Sequence, residues 1–451
     1  MSCFRPPTPA STSSPITGRG ARGSGRRSMR SPLLQKLKNK GLKGPSYGYK
    51  AAPRRRAFRK LTGVGSPLDE YRKSRIFSQL KTAEEHRKLP DLMLLSVVAL
   101  LTVVGLVMLY SASSYMGAVW HGDDMYYLKR QLLAAALGIV LMVGAYIVPY
   151  RFYQGKYPYL LGAAVLMLLL VFTPLGVAAR SSAGRLFRRS INLGGLTFQP
   201  VEFAKLAIAI YMADFLSRKA PEIRRMFKGV MPGMIVLGVM FLLIYLQPDL
   251  SSAAFLGLVV FTMLFIGGAR ISQMAIFGSM ALGFLYLAIK SDPYKLNRIE
   301  SYFDQVLRLE GSYQAMRSME AIAWGGLTGT GPGRGVYKMF YLPMAHTDFI
   351  FSIIGEELGV LGMVAVIGMY MILIWRGARI AARAPDLFGG MLAAGITCIF
   401  AYQALMNLGV TLGLLPITGV SLPFISKGGS SLMMSLAMVG ILLNISKEGA
   451  G

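Results

Sequence analysis

The chain has 451 residues, 53% of them hydrophobic and only 16% charged, with a mean hydropathy of +0.48. That balance excludes an ordinary soluble globular domain, in which about a quarter of residues are charged. The formal net charge of +28 lies mostly ahead of the first apolar run, so the sequence reads as an all-α polytopic membrane protein carrying a basic N-terminal tail.

Residues 1–89 hold 22 Lys and Arg against four acids. Pro, Gly, Ser and Arg dominate, no apolar periodicity persists, and runs such as Pro53-Arg54-Arg55-Arg56 repel themselves into extended conformations, which predicts a disordered cytoplasmic tail. A cleavable signal does not fit, because the first apolar run begins only after position 90 and is too long for a signal core. Such a tail sets topology and is drawn to anionic lipid headgroups, at about 1 kcal/mol per basic residue near the surface. A nucleic-acid partner is not expected, since aromatic residues are sparsely interleaved with the charge.

From residue 90 onward, a window of about 20 apolar residues, the length needed to cross the hydrocarbon core, predicts ten spans. They lie near 91–114, 130–149, 158–176, 200–217, 229–246, 251–268, 272–290, 348–375, 387–414 and 429–446. A large polar loop separates the seventh from the eighth. The even-numbered loops carry the basic residues of a cytoplasmic face: Arg151 and Lys156; Arg218, Lys219, Arg224, Arg225 and Lys228; Arg270; then Arg376, Arg379 and Arg383. Both termini are then expected in the cytoplasm.

Two loops on the opposite side break that rule. Residues 177–199 hold Arg180, Arg185, Arg188 and Arg189 with no acid, and residues 290–348 hold seven basic residues beside six acids. The second loop can be a simple balance of solvated charge; the unbalanced arginines of the first suggest an anionic ligand. The run Gly329-Thr-Gly-Pro-Gly-Arg-Gly335 lacks dinucleotide-binding spacing and follows no strand. It reads as a sharp loop whose backbone amides can approach a phosphate.

Cys3 in the tail and Cys398 inside a span cannot pair with each other, and the three histidines, His86, His121 and His346, form no zinc-binding pattern. No cofactor is expected, with a divalent cation left open.

Charged residues at membrane depth are functional candidates by default. Glu202 and Lys205 share one face of the fourth span, as an ion pair or as two arms around a ligand. Asp249 follows Gln247 and Pro248 at the end of the fifth span. Asp348 opens the eighth, where it can also cap the helix. Glu356 and Glu357 fall about 12 Å deeper along that helix, which predicts a polar cavity inside the bundle.

Six ordered motifs then carry a resemblance: Arg188-Arg-Ser-Ile-Asn-Leu-Gly194, Gln199-Pro-Val-Glu-Phe-Ala-Lys205, Leu246-Gln-Pro-Asp-Leu250, Pro343-Met-Ala-His-Thr-Asp-Phe-Ile-Phe351, Gly355-Glu-Glu-Leu-Gly359 and Leu422-Pro-Phe-Ile-Ser-Lys-Gly-Gly-Ser-Ser431. Over about residues 90–448 the chain resembles the SEDS family, the shape, elongation, division and sporulation proteins, and its division branch more than its elongation branch. The resemblance implies a ten-span peptidoglycan glycosyltransferase that polymerises lipid II, the undecaprenyl-pyrophosphate-linked disaccharide pentapeptide. It would act at the outer face of the cytoplasmic membrane, at the division septum, beside a class B penicillin-binding protein and other division proteins.

The pyrophosphate of that substrate would account for the outward arginines, whose forks suit phosphate. The reaction needs a carboxylate base in the large outer loop. The family places an aspartate a few residues before a Gly-Tyr-Gln-like element, here Ser312-Tyr-Gln314, and that aspartate is missing: its position falls near Leu307 and Arg308. Glu310, then Asp304, are the local substitutes and the catalytic candidates. Substrate-binding candidates are Arg188, Arg189, Glu202, Lys205, Asp249, Lys338, His346, Asp348, Lys427 and Ser430. Further departures from the family stand at Ser190, Val201, Met344 and Lys427, although an ammonium at Lys427 can meet a phosphate as well as the usual tyrosine hydroxyl can. A catalytically impaired scaffold and a lipid II flippase are the alternative readings; the clustering of charge at the outer ends disfavours the flippase.

Overall fold

A computed structural model describes residues 90–449 apart from 181–185, 194–195 and 309–312. The predicted basic tail and the catalytic candidate Glu310 lie outside the described residues. Ten of the helices match the ten predicted spans: α1 (Leu92–His121), α2 (Tyr126–Ile147), α3 (Tyr157–Leu170), α4 (Pro200–Lys219), α5 (Met231–Tyr245), α6 (Leu250–Ile266), α7 (Ile271–Lys290), α10 (Ile350–Arg383), α11 (Leu387–Thr411) and α12 (Gly429–Gly449). Two more, α8 (Pro293–Arg308) and α9 (Tyr313–Gly325), occupy the large loop. The protein is an all-α polytopic membrane protein. α3 and α6 are short for a full crossing, and α4 carries Glu202, Lys205 and Asp214, which keep it from reading as a simple apolar span.

Three helices start on a carboxylate that accepts an otherwise orphaned amide: Asp91 from Leu94, Asp249 from Ser252 and Asp386 from Gly389. At α10 the capping position falls on Phe349, which makes no side-chain bond there, one residue beyond Asp348.

Small residues bring the helices together, as expected where lipid removes the hydrophobic drive for helix association. A Cβ at Gly440 of α12 would lie 2.2 Å from the Met142 carbonyl of α2, and one at Gly105 of α1 would lie 2.4 Å from the Phe424 carbonyl. Asn444 bridges the turn after α2, accepting from the Tyr150 amide at 2.8 Å and donating to the Tyr146 carbonyl at 2.7 Å. By contrast α7 buries only Gln273 and Ala288 and presents Met280, Leu282, Tyr286 and Leu287 outward.

Two features depart from the sequence reading. The arginine-rich loop is not irregular: β1 (Gly176–Arg180), β2 (Leu186–Leu193) and β3 (Leu196–Phe198) pair antiparallel in that order. The eighth span is not continuous either, because α10 breaks at Gly359, with φ 65° and ψ −168°. There the loop after α9 takes over the lost bonds: the Val360 and Leu361 amides donate to Gly326 and Leu327, and the Thr330 and Gly331 amides donate to Glu356 and Glu357 carbonyls. Broken helices survive at membrane depth only where protein supplies such partners.

Candidate active site

Two loops at one end of the bundle are stitched edge to edge. The Lys427 amide donates to the His346 carbonyl at 3.0 Å and the Ser426 hydroxyl to the Thr347 carbonyl at 2.6 Å. Gln131 of α2 donates to the Ser426 carbonyl and accepts from the Gly428 amide, and the Tyr370 hydroxyl reaches the Pro423 carbonyl. Phe424 sits in this stitched segment at φ 68°, a left-handed conformation that an aromatic residue adopts only when its surroundings impose it.

Beneath the stitched loops lies a polar cleft of about 230 Å³, walled by α4, α6, α11 and the start of α12. Glu202 and Lys205 are both buried and pair at 2.8 Å on its floor. Asp348, Lys427, Ser430 and Ser431 line it, with Gln199, Ser252 and Gln403 completing the wall. Both side-chain atoms of Gln403 are buried without a hydrogen-bond partner, an amide held ready for a polar ligand. A second cleft of about 310 Å³ adjoins the first and shares Gln199, Lys427, Gly428 and Ser430 with it; Tyr127, Arg130, Gln131, Ser190 and Thr197 line its far side.

Lys427 therefore stands in the wall common to both clefts. Its ammonium lies 3.9 Å from the Tyr127 ring centroid and 3.5 Å from His346 Nε2. Burial, then the charge of Arg130, lowers its pKa to about 8. Burial, then Lys427, lowers that of His346 to about 3, so the imidazole stays neutral at any working pH.

The remaining predicted residues fall elsewhere. Arg188 donates to the Thr173 carbonyl at 3.1 Å, and Arg189 donates to the Gln247 and Pro248 carbonyls and stands 4.0 Å from Asp249. The two arginines thus tie the small sheet to the ends of α3 and α5, where ligand binding was expected of them. Asp249 does not line the clefts; it accepts from the amide and hydroxyl of Ser252, a residue that does. Asp304 is half-buried on α8.

Lys338 lies apart from the clefts, buried at 2.7 Å from Glu357 and 2.9 Å from the Ser111 hydroxyl of α1. Glu356 accepts from the Val336 and Tyr337 amides and Glu357 from the Gly333 amide at 2.9 Å. The glycine-rich loop does bind an anion through its amides, but the anions are the protein's own carboxylates. The polar cavity predicted around Glu356 and Glu357 is filled by this loop: a Cβ at Gly335 would lie 2.8 Å from Glu356 Oε2.

Comparison with known proteins places the chain. The FtsW, RodA and SpoVE group, described as cell cycle proteins, matches residues 91–450. The chain belongs to this SEDS family. Among its SEDS relatives, the probable peptidoglycan glycosyltransferase FtsW of Trichlorobacter lovleyi is 42% identical over 357 residues, 79% of this chain and 93% of that protein. Stage V sporulation protein E of Bacillus subtilis is 39% identical over 360 residues, covering 79% and 97% respectively. Among solved structures, a chain from a peptidoglycan synthase complex that coordinates polymerization and crosslinking matches with a TM-score of 0.63 and 29% identity, over 79% of this chain and 97% of that one. The rod shape determining protein RodA of Thermus thermophilus matches with a TM-score of 0.59 and 28% identity, over 80% and 98%.

Gln403, Gln131 and Ser431 were missed by sequence reasoning, which weighed formal charge inside the spans and passed over neutral polar side chains; Arg130 was passed over because it stands at the very edge of the second predicted span. A Gln in the middle of the apolar run 387–414 was the available signal.

Proposed function

We propose that this SEDS protein is a peptidoglycan glycosyltransferase that polymerises lipid II at the outer leaflet of the cytoplasmic membrane, both termini cytoplasmic, during division. A class B penicillin-binding protein is its crosslinking partner. The observation that carries the reading is the pair of adjoining clefts with Lys427 in their common wall. Two lipid-linked saccharides must meet in this reaction, and a shared ammonium between two polar chambers suits two diphosphates held side by side.

The acceptor hydroxyl attacks the donor's anomeric carbon as the bond from that carbon to the lipid pyrophosphate breaks. The base takes the hydroxyl proton and the pyrophosphate leaves on its lipid. Glu310 and then Asp304 are the proposed bases. Glu202, Lys205, Asp348, Gln403 and Ser430 hold and orient polar groups of the substrate, while His346, neutral and behind Lys427, sets the position of the ammonium. Arg188, Arg189 and Asp249 serve this site by holding the elements that wall it, while Lys338 neutralises Glu357 apart from the clefts.

The test is lipid II polymerisation by the full chain with its cognate penicillin-binding protein, comparing the unmodified protein with Glu310→Ala and Asp304→Ala. Glycan strands that vanish with one substitution identify the base. The missing aspartate near Leu307 and Arg308 favours one second reading, a scaffold that recruits the crosslinking enzyme. No strands from the unmodified chain, under conditions where a relative with that aspartate makes them, would establish it.

A further inference from the structure

At the end of the bundle remote from the clefts, roughly 40 Å along α10 by its helical rise, the start of α1, the last turns of α10 and the end of α12 enclose another cleft, of about 370 Å³. Asp91, Arg376, Arg379, Arg383 and Ser446 give it a polar floor, and Leu92, Met93 and Ile380 give it an apolar flank.

The floor is built, not merely charged. Arg376 is committed to Asp91, its Nη2 and Nε lying 2.6 and 2.7 Å from Oδ2. Asp91 caps α1 with its other oxygen and donates its amide to the Ser446 hydroxyl at 3.1 Å. That arrangement cancels one guanidinium and fixes the three helix ends. Arg379 and Arg383 make no ion pair with any described acid. At the same end Arg151 is matched by Asp386 and Glu448, and Arg218 by Asp214.

The Arg379 guanidinium lies 5.4 Å from the ring centroid of Trp375, a residue 51% exposed on the lipid side of α10. An exposed Trp beside arginines marks the depth at which headgroups meet hydrocarbon. Leu92 and Met93, 55% and 42% exposed, continue the apolar wall from the cleft into the hydrocarbon layer. A free phosphate would use the two guanidiniums alone, whereas an anionic phospholipid would use the guanidiniums, the Trp and the apolar flank together.

We propose that this cleft binds the phosphate of an anionic phospholipid headgroup between Arg379 and Arg383, with the acyl chains running down past Leu92, Met93 and Trp375. The site is separate from the clefts at the other end and does not depend on what they catalyse. Basic pockets between helices at a membrane surface are the arrangement that recognises such lipids. A lipid seated there would clamp the ends of α1, α10 and α12, the helices that also carry Gly105, the Gly359 break and Ser430.

The full-length protein would be placed in nanodiscs of phosphatidylcholine doped with phosphatidylglycerol, and the retained lipid measured by native mass spectrometry. The expected result is retention of phosphatidylglycerol over phosphatidylcholine, weakened roughly thirtyfold in Arg379→Gln/Arg383→Gln, about fivefold per charge removed. Lys156→Gln, at the same end but outside the cleft, should leave retention unchanged. Equal retention by the unmodified protein and the double variant overturns the proposal. So does displacement of the lipid by inorganic phosphate alone at matched concentration, which would make the cleft a free-anion site. Retention that appears only after Glu84→Gln/Glu85→Gln also overturns it, because the chain's own acids would then be the occupant. Should the double variant not fold, Trp375→Leu serves in its place and must also weaken retention.

Discussion

Among single residues, Lys427 has the most to tell. It is a base whose pKa is lowered to about 8 by burial and by Arg130, so it loses its charge as the pH rises through that value. An anion held by its ammonium is therefore bound most tightly below pH 8 and released above it. Binding of lipid pyrophosphate, followed between pH 7 and 9, should weaken in the unmodified protein and stay level in Lys427→Arg, whose guanidinium keeps its proton throughout. A profile that is equally flat in both would remove Lys427 from the binding site. The buried pair Lys338 and Glu357 makes a different prediction. Lys338→Met leaves a carboxylate buried without its partner, at a cost of roughly 3–5 kcal/mol, whereas Lys338→Met with Glu357→Gln should recover most of the loss. Thermal unfolding of the three proteins in one detergent measures it.

At the scale of elements, the break in α10 is the decisive joint. Gly359 adopts φ 65°, and a Cβ there would lie 2.4 Å from both the Gly329 amide and the Leu327 carbonyl. Gly359→Ala should push the loop 325–331 away from the helix, leaving the Val360 and Leu361 amides without partners and lowering the melting temperature by several degrees. Cysteine accessibility at position 330 should rise with it. The ten spans were legible because apolar runs of sufficient length have few alternatives in a membrane. The break at Gly359 was not, because a glycine inside an apolar run carries no sign of which loop will reach it. The sheet was legible in principle: Gly194-Gly195 between two short apolar-alternating runs is a hairpin signature, but the arginines drew the reading toward a ligand. Those arginines found backbone carbonyls at Thr173, Gln247 and Pro248, partners that no charge count reveals. Glu202, Lys205, Asp348, Lys427 and Ser430 were readable as a group because polar atoms at membrane depth must converge on one another or on a ligand.

At the scale of the whole molecule, the described chain closes on itself. α12 packs along α2, seats Gly440 against Met142, holds the turn after α2 through Asn444 and meets the start of α1 through Ser446. The segment just ahead of α12 supplies Lys427, and its first residues supply Ser430 and Ser431. A chain ending at Gly428 should therefore leave the inner face of α2 uncovered, and an engineered cysteine at the buried Ala134 should become reactive in it while remaining protected in the full protein. This closure also sets an order in time. Helices enter the membrane as the ribosome delivers them, and here the earliest pair waits for the last to arrive. The wall between the two clefts is made after every other described span, so a chain that still lacks α12 presents the substrate with no place to react.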